Sequence, residues 1–64
     1  MTTHTLESRL RARMRCLEIR AAMADLKAAR ERLLHVGAKQ ATDATRRALK
    51  STEGALRHAE RYTT

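Results

Sequence analysis

The chain has 64 residues and a net charge of +7, with 14 Lys and Arg against 7 Asp and Glu. This length accommodates one domain, residues 1–64, and no second one. The single cysteine, Cys16, excludes an intramolecular disulfide and suits a reducing compartment. Because no apolar run approaches the ~20 residues that span a bilayer and no signal peptide is visible, we expect a cytoplasmic protein with no membrane contact.

The first predicted element is a helix over about residues 5–36. Proline is absent, and the chain is rich in alanine, leucine and arginine, a composition typical of all-α proteins. Thr5 is a good N-cap, and no helix breaker follows it until Gly37. Glycine often ends a helix in a left-handed conformation, so we expect Gly37 just beyond the C-terminus of this one.

A turn over about 37–41 and a second helix over about 42–62 follow. The second helix is expected to begin between Ala38 and Asp43, with Thr42 and Asp43 as alternative N-caps. Gly54 within it costs roughly 1 kcal/mol relative to alanine, and either a close helix approach requires it or it is tolerated. Two long helices with a short connection predict an all-α, antiparallel two-helix hairpin that resembles a coiled coil. One continuous helix is the alternative, disfavoured because the apolar pattern changes phase at the turn.

Apolar residues of the first helix fall on two opposite faces at about 100° per residue, whereas the second helix has one apolar stripe. One face of the first helix is rich in small residues. Small residues also line the second helix, so we expect these two surfaces to meet. The predicted hairpin seam is Leu17, Ala21, Ala24, Ala28, Ala48, Thr52, Ala55 and Ala59. In this register residues 1–12 form an overhang that is expected to fray.

The other face of the first helix carries larger side chains and stays uncovered in this arrangement. Each large side chain gains roughly 1.5–3 kcal/mol on full burial, which favours binding of another protein there. The predicted partner-binding residues are Cys16, Ile19, Met23, Leu26 and Leu33. The sequence leaves open which face packs in the hairpin, and whether the complex is a homodimer or contains a different protein.

Catalytic chemistry has little support in the sequence. Cys16 has no histidine three or four residues away, the 3 histidines are widely separated, and no glycine-rich phosphate loop is present. We therefore expect a non-enzymatic protein with no catalytic residue, metal, cofactor or small-molecule substrate.

Five arginines cluster early in the first helix: Arg9, Arg11, Arg13, Arg15 and Arg20. They are candidate contacts for an anion or a nucleic acid, or they only solvate the helix. The cluster wraps around the helix and lacks the aromatic stacking partners that single-strand binders use. A homodimeric, basic four-helix bundle that binds RNA or DNA is the alternative function.

Three segments carry a resemblance to a known family. They are the start, Met1-Thr2 with Leu6-Glu7-Ser8-Arg9-Leu10, the turn, Gly37-Ala38-Lys39-Gln40, and the Ala-rich amphipathic helix up to Tyr62. With these segments the chain resembles the small E-type (YscE/PscE-like) co-chaperones of type III secretion needle subunits. The resemblance implies a cytosolic helical hairpin whose partner is a larger, tetratricopeptide-like helical chaperone. It further implies that the hairpin stabilises this chaperone, which keeps the needle subunit unpolymerised.

Overall fold

The computed structural model describes residues 5–63, which form two α-helices joined by a tight turn. Helix α1 spans Leu6–His35 and helix α2 spans Lys39–Glu60. The two helices pack against each other, and the part of the chain described contains no strand. The predicted antiparallel all-α hairpin is therefore confirmed, and the alternative of one continuous helix is wrong.

The first turn of α1 is capped as the sequence predicts. The Thr5 hydroxyl accepts a hydrogen bond from the Ser8 amide at 3.1 Å, which satisfies one of the free N–H groups of the helix N-terminus. Of the overhang predicted to fray, 1–4 lie outside the described residues. From Leu6 onward the chain is helical, and Ala12 is only 4% exposed.

Gly37 ends α1 as predicted, and the turn that it forms is a Schellman motif. Gly37 has a φ of +74°, its amide donates to the Leu34 carbonyl at 3.1 Å, and the Ala38 amide donates to the Leu33 carbonyl at 2.9 Å. These two bonds satisfy carbonyls that the end of α1 leaves free. A left-handed residue is sterically cheap only for glycine, so this residue type terminates α1.

Helix α2 begins at the early end of the predicted range, before either of the predicted N-caps. Ala38 is its N-cap, because the Ala38 carbonyl accepts the Thr42 amide at 2.9 Å. Thr42 and Asp43 are therefore not caps. The Thr42 hydroxyl donates to the same Ala38 carbonyl at 2.8 Å, so it lies inside the first turn of the helix. At the other end α2 stops at Glu60, slightly before the predicted boundary.

The two helices meet along a seam with coiled-coil spacing. On each helix a set of buried and half-buried positions recurs at alternating intervals of four and three residues, the pattern that keeps one face turned toward a partner helix. On α1 this set is Ala12, Cys16, Ile19, Met23, Leu26, Arg30 and Leu33; on α2 and the turn after it the set is Thr42, Thr45, Leu49, Thr52, Leu56, Ala59 and Thr63. Other half-buried residues, such as Ala29 and Ala48, lie beside this set. We infer from the antiparallel order that Cys16 lies opposite Ala59, and Leu26 opposite Leu49.

Threonines occupy four of the seam positions of α2, and each hydroxyl is satisfied within its own helix or the turn that follows. Thr45 donates to the Thr42 carbonyl at 2.7 Å, Thr52 to the Leu49 carbonyl at 2.8 Å, and Thr63 to the Glu60 carbonyl at 2.9 Å. With the hydroxyl bonded to the backbone, the remaining methyl group can pack against α1. These positions therefore behave as small apolar residues in the seam.

Gly54 makes no close helix approach. A Cβ added at this position meets nothing within 4 Å. Of the two explanations that the sequence left open, the structure supports simple tolerance. An ion pair also ties the helices, Arg20 Nη2 to Glu60 Oε2 at 2.8 Å, near the open end of the hairpin.

Candidate association surface on the first helix

The face of α1 predicted to bind a partner is the one that packs against α2. Cys16 is 6% exposed, and Ile19, Met23, Leu26 and Leu33 are half-buried. Only α2 can cover these side chains, because it is the only other helix among the described residues. The prediction that this face is free for another protein is therefore wrong.

The face of α1 predicted to form the seam is exposed instead. Leu17 is 54% exposed, and Ala21, Ala24 and Ala28 are exposed as well. On α2 the prediction is largely correct, since most of the predicted seam residues lose exposure to solvent. Ala59 is fully buried, Ala48 and Thr52 are half-buried, and Ala55 is exposed.

Two physical reasons explain why the hairpin uses the larger side chains. Burying Ile19, Met23 and Leu26 removes more apolar area from water than burying alanines does, so it stabilises the hairpin more. Large residues also interdigitate better with the small threonines and alanines of α2 than a second set of small residues would. The alternation of four and three residues runs unbroken along this face, whereas Leu6, Leu10 and Met14 on the other face are spaced four and four.

The exposed apolar face is hereafter the α1 stripe: Leu6, Leu10, Met14, Leu17, Ala21, Ala24 and Ala28. Its four large side chains are 72%, 51%, 58% and 54% exposed in chain order. The stripe runs about 33 Å along the helix, and its centre lies about 160° around the helix axis from the centre of the seam. An apolar surface of this length on a small protein usually marks a site of association.

Unpaired charges of opposite sign border the α1 stripe on its two sides. Arg13 and Lys27 lie on one edge, together with Arg20, which is paired with Glu60. Glu18 and Asp25 lie on the other edge. Within residues 5–63, Arg13, Lys27, Glu18 and Asp25 make no ion pair with any other side chain. The stripe is therefore an apolar surface with one basic and one acidic border.

The shape of the chain leaves an unusual amount of surface in water. The accessible surface is 5320 Å², against roughly 4,200 Å² for a compact protein of this mass. The radius of gyration is 15.1 Å, against roughly 11 Å for a compact domain of this length. The excess area is similar to the roughly 800 Å² that each partner contributes to a standard protein interface.

The five arginines of the predicted anion-binding cluster are all exposed, but they do not form one surface. Arg11 pairs with Glu7 at 2.6 Å, and Arg20 pairs with Glu60. Arg9 and Arg13 line a shallow groove with Leu6, Leu10 and Thr63, and Arg15 lines a separate cleft. Two of the five charges are thus offset by carboxylates. Of the remaining three, Arg9 and Arg13 share one side of α1, whereas Arg15 lies on another.

The cleft beside Arg15 lies at the open end of the hairpin and combines both helices. Ser8, Arg11 and Arg15 of α1 line it together with His58 of α2 and Tyr62 beyond it. The rings of His58 and Tyr62 meet edge to face with centroids 5.5 Å apart. Sequence reasoning missed this juxtaposition, because it depends on the register of the two helices.

A second basic surface covers the side of α2 that faces away from α1. It consists of Lys39, Arg46, Arg47, Lys50, Arg57 and Arg61, all exposed. Asp43 lies 3.7 Å from Arg46 and offsets one of these charges. The one-sided pattern of α2 is visible in the sequence, but a charged outer face is also typical of any surface helix and does not by itself predict a site.

Residues 5–63 offer little support for a metal site, a reactive thiol or a membrane-spanning helix. No group of three or more His, Cys, Asp or Glu side chains is arranged to hold a metal ion there. Cys16 is a free thiol buried in the seam. Neither α1 nor α2 is long and apolar enough to cross a membrane.

Comparison with known proteins adds no relative. No protein family, no curated protein and no solved structure matches this chain.

Proposed function

We propose that this chain is a small, non-enzymatic assembly subunit that acts by binding another protein through the α1 stripe. The observation that carries the proposal is the exposure of four large apolar side chains, Leu6, Leu10, Met14 and Leu17, on the face that α2 does not cover. In helix-in-groove recognition, a partner's hydrophobic groove binds apolar side chains that lie three and four residues apart on one face of a helix. The proposal places the partner on the face opposite to the one that the sequence favoured.

The resemblance to E-type co-chaperones supports a specific form of this function. In that form the partner is a tetratricopeptide-like helical chaperone in the cytoplasm, and the complex keeps a type III secretion needle subunit unpolymerised. A tetratricopeptide array offers concave helical surfaces, which suit a single exposed helix such as α1. The basic net charge would speed the encounter with an acidic partner, while the apolar stripe would supply most of the affinity.

Co-expression with the tetratricopeptide chaperone of a type III secretion operon tests this proposal. The genome that encodes this chain should contain such an operon, with the gene for this chain near it. The double variant Met14→Asp/Leu17→Asp should keep its helical circular dichroism and fail to co-purify with the chaperone. The matched control is Ala22→Asp, which changes an exposed residue outside both the seam and the stripe. Undiminished co-purification of the double variant would overturn the proposal.

Nucleic-acid binding is the second candidate, favoured by the basic outer surface of α2. Several exposed cations along one helix face suit contacts to a phosphate backbone. Affinity for double-stranded RNA or DNA should then fall steeply with salt, and Arg47→Glu with Arg57→Glu should abolish it. The Arg11→Ala/Arg15→Ala variant changes the cleft at the open end of the hairpin and not the outer face of α2. Its affinity for nucleic acid therefore tells which of the two surfaces binds. Absence of a gel shift at low salt would remove this candidate.

A further inference from the structure

The charges that border the α1 stripe follow the heptad of the stripe itself. Met14, Ala21 and Ala28 take one core position of the repeat, and Leu17 and Ala24 take the other. The position before the first core position is then basic, in Arg13, Arg20 and Lys27. The position after the second core position is acidic in the middle of the stripe, in Glu18 and Asp25, and basic at its two ends, in Arg11 and Arg32. In coiled coils these two flanking positions set partner choice and orientation.

We propose that the α1 stripe of the chain, when it is alone, is covered by the α1 stripe of a second copy in parallel, in-register orientation. In a parallel pair, each basic flanking residue faces the residue five positions further along the other chain. Arg13 therefore faces Glu18 of the second copy, and Arg20 faces Asp25 of the second copy. By two-fold symmetry each of these attractive pairings occurs twice. Lys27 opposite Arg32 is repulsive, and so are Glu7 and Glu31, which the same repeat places opposite their own counterparts at its two ends.

The antiparallel pairing of two stripes is disfavoured by the same charges. Antiparallel helices bring equivalent flanking positions together, so the basic edge meets a basic edge and the acidic edge meets an acidic edge. Such like-charge pairs are destabilising. The Arg20 side chain is 59% exposed although one of its nitrogens already contacts Glu60. A guanidinium carries five N–H donors, so others remain for Asp25 of the second copy.

The opposite placement of the seam and the stripe fixes the form of the dimer. Because the two faces lie about 160° apart around α1, the four helices follow one another as α2, α1, α1 and α2 in a flat layer. A closed four-helix bundle would need two faces nearly at right angles. A dimer of this form would cover the large exposed side chains of the stripe, Leu10, Met14 and Leu17, of both copies.

This inference rests on the proposed function in one respect, namely that the α1 stripe is an association surface. It adds that, in the absence of a partner, the stripe of one copy is covered by the stripe of a second copy. A larger partner must therefore displace that second copy. The occupant of the stripe is thus a second copy before the partner arrives.

Cysteine cross-linking on the full chain tests the orientation. In a Cys16→Ser background, Leu10→Cys and Ala24→Cys each place a thiol at the same heptad position, about 21 Å apart along α1. Only a parallel, in-register dimer brings both of these thiols against their own counterparts, so both variants should give a covalent dimer under mild oxidation. Ala22→Cys, outside the stripe, is the control and should stay monomeric on a denaturing gel.

Charge reversal tests the pairing independently. Arg13→Glu and Glu18→Arg should each weaken the dimer roughly tenfold in sedimentation equilibrium, and the double exchange should restore it. An antiparallel dimer predicts that Arg13→Glu strengthens association, which would overturn the proposal. So would a chain that is monomeric at about 100 μM. A monomer that binds the tetratricopeptide chaperone would leave the proposed function intact, whereas a monomer that binds neither would overturn both.

Discussion

The seam between α1 and α2 predicts a clear difference between two leucine-to-alanine variants. Leu49 is 4% exposed, whereas Leu34, near the turn, is 59% exposed. Each substitution removes three carbon groups, worth about 0.8 kcal/mol apiece when fully buried, or roughly 2.4 kcal/mol for Leu49. Scaled by its exposure, Leu34→Ala should cost only about 1 kcal/mol. The cavity penalty at Leu49 should be small, since a two-helix seam can close around the gap.

Urea unfolding followed by helical circular dichroism measures this difference. Leu49→Ala should lower the midpoint more than Leu34→Ala, with the slope of the transition unchanged. Thermal unfolding gives a second readout, because about 1 kcal/mol shifts the melting temperature of a domain this small by roughly 4–8 °C. Equal losses in the two variants, or a larger loss for Leu34→Ala, would refute the assignment of the seam.

Three further outcomes follow from the turn, the helix interior and the buried thiol. Gly54→Ala should raise the free energy of unfolding by roughly 0.5–1 kcal/mol, because its Cβ enters open space in a helix; an unchanged urea midpoint would contradict this. Gly37→Ala should lower that free energy by about 1–2 kcal/mol, because a φ of +74° strains a residue with a Cβ; calorimetry should show the lower melting temperature. Cys16 should react slowly with a thiol reagent until the chain unfolds, since it is 6% exposed; a native reaction as fast as that of the denatured chain would place it outside the seam.

Local features of the fold could be predicted from the sequence because short-range chemistry determines them. The hydroxyl of Thr5 and the backbone freedom of Gly37 set the two ends of α1, and both act as expected. The start of α2 could not be predicted in this way. Thr42 has the residue type of an N-cap, yet its hydroxyl bonds the Ala38 carbonyl within the helix. Threonine can either cap a helix or lie within one, and here the geometry of the preceding turn decides which of the two Thr42 does.

The choice between the two faces of α1 was the harder problem. Both faces have coiled-coil-like spacing, and the apolar residues of α1 almost cancel around its axis, as the sequence indicated. The prediction gave weight to small residues such as Ala21 facing small residues on α2. The structure instead buries Ile19 and Met23, where the gain in apolar area is larger. The residue types alone do not show whether close packing of small residues or burial of larger side chains stabilises the hairpin more.

The solution mass of a stripe variant tests the central claim, that the exposed face of α1 is the association surface, most directly. Light scattering on Met14→Asp/Leu17→Asp should give a monomer with unchanged helical circular dichroism, whereas the parent chain should be a dimer. The companion variant Ile19→Asp/Met23→Asp should lose its helical signal, because those side chains lie in the seam. If Met14→Asp/Leu17→Asp keeps the mass of the parent while Ile19→Asp/Met23→Asp becomes a folded monomer, association uses the opposite face and the account is contradicted.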